Sequence, residues 1–131
     1  EGYYDFADRN VVVVAVVEDN SAVSHIEEIA ATPGIDVLFI GTSDLSFSLG
    51  LRGAQDQPKL EEAVAKIAAA GKRHGKVMGR PARTVEEVRR FEKEGFRFFM
   101  TGTDIDFMAA GASQFLGPLG KARSIISSGG L

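Results

Sequence analysis

The sequence of 131 residues contains no cysteine, no run of basic residues and no apolar run long enough to cross a bilayer. Without cysteine it has no disulfide framework, no thiolate nucleophile and no thiolate metal site. A net charge of −3 gives no electrostatic footprint for nucleic acid. We therefore expect neither a nucleic-acid nor a membrane partner. Since no signal peptide is visible either, a cytoplasmic location is expected.

The composition is that of an ordinary globular protein, with 44% hydrophobic and 25% charged residues. It provides enough apolar material for one core, so we predict a single domain over residues 1–126. The last residues, 127–131, are serines, glycines and a leucine. They are predicted to form a flexible tail.

Apolar runs of strand length alternate with segments of helical periodicity along the chain. The first run contains no polar residue and predicts a strand buried on both faces. Predicted strands cover residues 11–17, 36–40, 76–79 and 98–100. Predicted helices cover residues 21–32, 58–74 and 84–95, with a last helix from Asp104, and residues 45–57 are predicted to form a long loop.

Four strand–helix units in series predict an α/β fold with a parallel sheet and right-handed crossovers. Two architectures fit, a doubly wound open sheet or a segment of a (β/α)₈ barrel. The pattern alone favours the open sheet, because a complete barrel typically needs about 250 residues.

Two carboxylates, Glu18 and Asp44, each come just after a predicted strand. The carboxyl ends of parallel strands meet at one rim of the sheet, so these side chains are expected at the same rim. A carboxylate pair there predicts a site for a hard cation such as Mg²⁺ or Mn²⁺. Taken singly, each residue is better explained as a helix cap or a solvated loop residue.

Three other polar residues are candidates for a role at this rim. Arg80 is predicted to follow the third strand and to point toward the carboxylates, where it would hold a distal carboxylate of a substrate. A solvated arginine before Pro81 is an equally good interpretation. His25 and His74 are predicted on helices away from the rim, where surface or capping roles fit better than catalysis.

The segment 39–46, Phe-Ile-Gly-Thr-Ser-Asp-Leu-Ser, taken with the strand that ends in Glu18, resembles the HpcH/HpaI aldolase family of class II, metal-dependent pyruvate aldolases. The usual motif of that family is Phe-Ile-Gly-Pro-x-Asp-Leu-Ser. Thr42 and Ser43 stand where a proline and a small residue are usual, a departure that keeps the backbone donors of the turn.

The resemblance implies a TIM (β/α)₈ barrel, of which this chain is the last four βα units, a half barrel. It implies a lyase that cleaves or forms 4-hydroxy-2-keto acids through a pyruvate enolate, with an aldehyde as the other reactant. Glu18 and Asp44 match the metal ligands, for Mg²⁺ or Mn²⁺ with Co²⁺ also compatible. The set expected to bind substrate is Gly41, Thr42, Ser43, Asp44 and Arg80.

The arginine and histidine that carry out the chemistry in this family lie ahead of Glu1 by this alignment, so the catalytic residues are unknown in this chain. The resemblance therefore implies two kinds of partner. One is the missing N-terminal half of the barrel, and the other is further copies in a homo-oligomer such as a hexamer.

Two alternatives stay open at this point. One is a related 2-keto-acid or acyl-CoA lyase of the citrate lyase β type that uses the same metal site. The other is a half barrel without catalysis that serves as an assembly module.

Overall fold

The computed structural model describes residues 2–55 and 57–120. Seven helices and four strands alternate within them, followed by a 3₁₀ turn at Gly117–Leu119. In chain order they are α1 Tyr3–Asn10, β1 Val14–Val17, α2 Asn20–Ser24, α3 Ile26–Ala31, β2 Val37–Ile40, α4 Thr42–Ser48, α5 Pro58–Arg73, β3 Val77–Pro81, α6 Val85–Glu94, β4 Phe98–Met100 and α7 Asp104–Leu116. The predicted tail, residues 127–131, lies outside the described part.

The four strands form one sheet in the order β1-β2-β3-β4, and all of its pairs are parallel. Val16 pairs with Phe39, Phe39 with Gly79, and Gly79 with Phe98, so these four residues share one face. The predicted α/β class with a parallel sheet is confirmed. Each strand's carboxyl end therefore lies at the same rim.

One face of the sheet carries the core. Strand residues on this face pack with helix residues from α2, α3, α4, α5 and α6, which cover the face with apolar side chains. The fully or nearly fully buried members include Val17, Ile26, Leu38, Ile40, Leu45, Ile67 and Phe91. This layer of helices on a sheet is what the periodicity of the helical segments predicts.

The other face, which we call the open face, is formed by the alternate strand residues. It is apolar, yet several of its side chains are exposed: Val14, Val16, Val77, Phe98 and Met100. At its centre the rings of Phe39 and Phe98 meet edge to face at 6.1 Å. They close over Gly79, where an added Cβ would lie 2.8 Å from the Phe39 ring.

The first strand departs from its prediction. It covers Val14–Val17 rather than residues 11–17, and it is not buried on both faces, since Val16 is 53% exposed. A run of valines predicts burial on both faces only if a neighbour covers each of them. On β1 the described residues bury a side chain of the core face, Val17, but leave those of the other face exposed.

Two further predictions are corrected by the structure, and one helix was missed. The helix predicted over residues 21–32 is two short helices, α2 and α3, that meet at His25. The loop predicted over 45–57 begins later, because α4 runs to Ser48. The helix α1 was not predicted at all, and none of its residues is buried. In contrast, the predicted helices at Pro58, Thr84 and Asp104 and the strand at Phe98 are confirmed within one or two residues.

The described chain divides after Thr101 into two compact units. In the second unit, Thr103 caps α7, since its hydroxyl accepts a hydrogen bond from the Asp106 backbone N–H at 3.2 Å. The large apolar side chains of α7, among them Phe107 and Met108, are exposed. No helix in the described part of the chain is long and apolar enough to cross a membrane.

Candidate metal and substrate site

Glu18 follows β1 directly and lies over the start of α4. Since side chains alternate along a strand, Glu18 is on the same face as Val16, the open face. A Cβ added to Gly41 would lie 2.9 Å from both Cβ and Oε2 of Glu18. Only a residue without a side chain leaves room for the carboxylate there.

The turn from β2 into α4 is held by its backbone. The N–H of Gly41 donates to the Val17 carbonyl at 3.1 Å, and its own carbonyl accepts from the Leu45 N–H at 2.9 Å. The next three N–H groups, those of residues 42–44, donate to no acceptor among the described residues. Free N–H groups at a helix start are donors for an anion such as a carboxylate.

Asp44 and Ser48 are four residues apart on α4 and therefore lie on one face of the helix, a turn apart. The Ser48 hydroxyl donates to Asp19 Oδ2 at 2.8 Å and accepts from the Asn20 N–H at 2.9 Å. This face of α4 is thus turned toward the segment that follows β1. Asp44 is exposed and lies one turn before Ser48 on this face.

Asp19 and Ser48 were not singled out from the sequence. Asp19 caps α2, since its Oδ1 accepts from the Ser21 N–H at 2.7 Å. The hydrogen bonds from Ser21 and Ser48 lower the pKa of Asp19 below its usual range. An acidic residue before a helix signals the cap. No sequence signal indicates the contact with Ser48, which is distant in the chain.

The carboxylate pair suits a metal that needs few protein ligands. In the described part of the chain, no group of three or more histidine, cysteine, aspartate or glutamate side chains is placed to hold a metal ion. Mg²⁺ is usually held by one or two carboxylates, with water and substrate oxygens completing the octahedron. Glu18 and Asp44 fit that requirement, and neither forms an ion pair with a described residue.

The remaining residues of the predicted substrate turn differ in exposure. Thr42 is buried, and its carbonyl accepts a long hydrogen bond of 3.4 Å from Gln55 Nε2. Ser43 is exposed. Gln55 connects the loop after α4 to this turn. The buried side chain of Thr42 is therefore not accessible to a ligand, whereas that of Ser43 is.

Arg80 does not lie where the sequence predicted. It is inside β3 rather than after it, and its guanidinium lies 3.7 Å from the centre of the Phe91 ring on α6. This is the core side of the sheet. Burial lowers the pKa of Arg80, and its Nε has no hydrogen-bond partner among the described residues. Arg80 therefore does not point toward the carboxylate rim.

The two histidines and Lys76 are away from the carboxylates. His25 joins α2 to α3, and its Nδ1 lies 2.9 Å from the Ser21 carbonyl. His74 ends α5, with Nε2 3.1 Å from Glu27 Oε2. Lys76 precedes β3, at the opposite end of the sheet, and donates to the Thr32 and Ile35 carbonyls.

The family model for the HpcH/HpaI aldolase/citrate lyase family matches residues 4–110. The chain belongs to this family. A 5-keto-4-deoxy-D-glucarate aldolase of Klebsiella pneumoniae is 34% identical over 103 residues, which are 79% of this chain and 40% of that protein. The chain thus spans less than half the length of this curated relative.

Two solved structures have a similar fold. An HpcH/HpaI aldolase/citrate lyase family protein from Burkholderia cenocepacia has a TM-score of 0.81 and 35% identity, with 89% of this chain and 46% of that one covered. The citrate synthase SbnG has a TM-score of 0.77 and 27% identity, with 88% of this chain and 47% of that one covered. In both cases this chain covers about half of the other.

Proposed function

We propose that this chain is the carboxyl-terminal half of a metal-dependent aldolase that cleaves or forms 4-hydroxy-2-keto acids through a pyruvate enolate. The observation that carries the proposal is the position of Glu18 over Gly41, at the start of the helix whose first turn holds Asp44. The aldolases of the same family support it. This chain spans less than half of the length of such an aldolase. The activity is therefore proposed for the whole protein that contains this chain, not for these 131 residues alone.

In the proposed site, Glu18 and Asp44 bind Mg²⁺ or Mn²⁺, with Co²⁺ as a further candidate. A bound divalent ion would offset the negative charge that develops on the keto oxygen during enolate formation. The backbone N–H groups of Thr42, Ser43 and Asp44 would bind the carboxylate of pyruvate and so orient its keto oxygen. Because Gly41 has no side chain, the Glu18 carboxylate and the pyruvate carboxylate could both approach the backbone closely.

The open face supports the proposal of a half barrel. Its strand residues are valine, phenylalanine, glycine, proline and methionine, and none of them is a base or a cation. Large apolar residues of this kind fill the interior of a (β/α)₈ barrel. We infer that four further strands cover this face and supply the proton-transferring histidine and the arginine. They are the N-terminal half of the barrel.

The test is release of pyruvate from a 4-hydroxy-2-keto acid by the native protein, purified with whatever polypeptide accompanies this chain. Intact mass shows whether that polypeptide is continuous with these 131 residues, which weigh 14.0 kDa. Without Mg²⁺ or Mn²⁺, and in Asp44→Ala or Glu18→Gln, kcat/KM is expected to fall by at least about 100-fold.

Glu28→Gln provides the matched control for Glu18→Gln. Glu28 is an exposed glutamate on α3 whose side chain forms no hydrogen bond or ion pair with a described residue, so its loss should leave kcat/KM unchanged. Full activity in both Glu18→Gln and Asp44→Ala would refute the metal site. Absence of pyruvate release from the wild type would refute the pyruvate aldolase, and a non-catalytic half barrel would remain if citrate is not turned over either.

A citrate lyase or citrate synthase type of reaction is the second candidate, because SbnG has the same fold at 27% identity. The carboxylate pair would serve it equally, since citrate and 2-keto acids both offer oxygen ligands. Assaying the same variants for formation or cleavage of citrate distinguishes the two. Citrate turnover without pyruvate release would favour this candidate.

A further inference from the structure

The two segments that carry Glu18 and Asp44 are joined by a pair of hydrogen bonds, which we call the Ser48 bridge. The Ser48 hydroxyl donates to Asp19 Oδ2 at 2.8 Å and accepts from the Asn20 N–H at 2.9 Å. Both bonds cross from the end of α4 to the start of α2. A hydroxyl is the only part of Ser48 able to donate and accept at once.

Each end of the bridge is fixed close to one carboxylate. Asp19 is bonded to Glu18 through the peptide link, and Ser48 lies one turn below Asp44 on the same face of α4. A shift of α4 relative to the β1–α2 turn would therefore change the separation of the two carboxylates. The bridge opposes that shift.

Helix capping alone does not account for the bridge. Asp19 Oδ1 accepts from both the N–H and the hydroxyl of Ser21, at 2.7 and 2.5 Å, which is sufficient to cap α2. Asp19 Oδ2 takes no part in the cap and accepts the hydrogen bond from Ser48 instead. The second oxygen thus connects to a different element, which a cap does not require.

We propose that Ser48 and Asp19 are positioning residues that hold Glu18 and Asp44 at the separation a divalent metal needs. The inference rests on the proposed metal site, and neither residue contacts the metal itself. Removing a group that hydrogen-bonds a metal ligand directly typically lowers metal affinity by about 10- to 100-fold. The Ser48 bridge acts one step further from the ligands, through the backbone, so the lower end of that range is expected.

Binding of Mn²⁺ to the native protein without substrate tests the proposal, with affinity measured by calorimetry. Ser48→Ala is expected to weaken binding by about 10-fold. The melting temperature of the metal-free protein should stay within a degree or so, because the bridge is exposed and water replaces it. Ser48→Thr keeps the hydroxyl and should restore most of the affinity.

Ser24→Ala is the matched control. The Ser24 hydroxyl donates to the Asn20 carbonyl within α2, at 3.3 Å, and connects to no other element. Its removal should leave the Mn²⁺ affinity unchanged. Hydrogen exchange of the Asn20 amide checks the bridge without any metal, since Ser48→Ala should speed that exchange and Ser24→Ala should not.

The outcomes separate this inference from the proposed function. If the wild type binds Mn²⁺, Asp44→Ala abolishes binding and Ser48→Ala binds as tightly as the wild type, the positioning role is wrong and the metal site stands. If the wild type does not bind Mn²⁺, the site and the role that depends on it both fail. Weaker binding in Ser48→Ala with an equal loss of thermal stability would indicate a merely structural contact.

Discussion

The carboxylate of Glu18 lies against the α-carbon of Gly41, so that the end of β1 and the end of β2 meet without a side chain between them. The glycine is required for space rather than for conformation. Its φ of −77° is accessible to any residue. This contact brings one proposed ligand directly to the helix that carries the other.

We predict that Gly41→Ala displaces the Glu18 carboxylate. The added methyl group would meet Glu18 Cβ and Oε2 at 2.9 Å and Val16 Cγ1 at 3.4 Å, and Glu18 Cβ has little freedom to move. Mn²⁺ affinity should fall about 10-fold or more, with a smaller loss of thermal stability. Calorimetric titration of the native protein measures the Mn²⁺ affinity, and a melting curve measures the thermal stability.

Gly111→Ala is the matched control, because a Cβ at Gly111 would meet nothing within 4 Å. Gly111 lies inside α7, where alanine favours the helix by about 1 kcal/mol relative to glycine. Its Mn²⁺ affinity should equal that of the wild type. Wild-type affinity in Gly41→Ala as well would mean that Glu18 is not a ligand.

Much of the fold followed from local patterns in the sequence. The helix over Pro58–Arg73 has an apolar stripe, an initial proline and a glycine after its end, and its boundaries were predictable from these signals. The four-residue strand Val37–Ile40 is buried throughout, as its unbroken apolar run predicts. Such patterns depend only on residues that are close together in the sequence, so the elements they specify can be predicted from the sequence.

The elements that could not be predicted depend on contacts between distant segments. The helix Thr42–Ser48 is short and begins with small polar residues that are typical of a turn, so only its packing through Leu45 and Ser46 reveals it. The same holds for the contact of Ser48 with Asp19. The carboxylate rim was predictable from strand order, but the groups that position it were not.

The exposed side of β1 differs from what its sequence predicts. Its valines predict a strand that is buried on both faces, yet Val14 and Val16 are exposed on the open face. An unbroken apolar strand is typical of a parallel sheet that is covered on both faces. The mismatch therefore fits the proposal that a second set of four strands belongs on this face.

Glu27 is predicted to stabilise the fold in a pH-dependent way. Its carboxylate on α3 accepts a hydrogen bond from Arg73 and lies 3.1 Å from His74 Nε2, which ties α3 to the end of α5. The hydrogen bond from Arg73, followed by that from His74, lowers the pKa of Glu27 below its usual 4.5. A lowered carboxyl pKa adds stability above the unfolded value, and this stability disappears as the pH falls through the folded value.

Glu27→Gln should therefore lower the melting temperature at pH 7, by on the order of 1–3 °C because the pair is half exposed. At pH 3 the difference from the wild type should shrink. Melting curves at both pH values measure it, and Glu28→Gln, one residue away on the same helix, should show no such dependence. A difference that is constant with pH would rule out the charge of Glu27 as its cause.

Arg80 is predicted to act as a packing residue. Its guanidinium lies between Phe91, at 3.7 Å, and Phe96, at 5.3 Å from the ring centres. Cation–π contact contributes about 0.5–2 kcal/mol, while the unpartnered Nε costs part of that gain. Arg80→Met keeps the aliphatic stem and should change the free energy of unfolding by less than about 1 kcal/mol.

Arg80→Ala loses the stem as well and should cost more than Arg80→Met, about 1–3 kcal/mol, as measured by urea unfolding of the native protein. The same two variants decide whether Arg80 touches the substrate. A guanidinium that held a substrate carboxylate would make KM rise at least about 10-fold in both variants, since such a charged hydrogen bond is worth about 1.5–3 kcal/mol. We expect instead that KM stays unchanged in Arg80→Met, because the side chain is held on the helix-covered face of the sheet and the proposed metal site lies on the other.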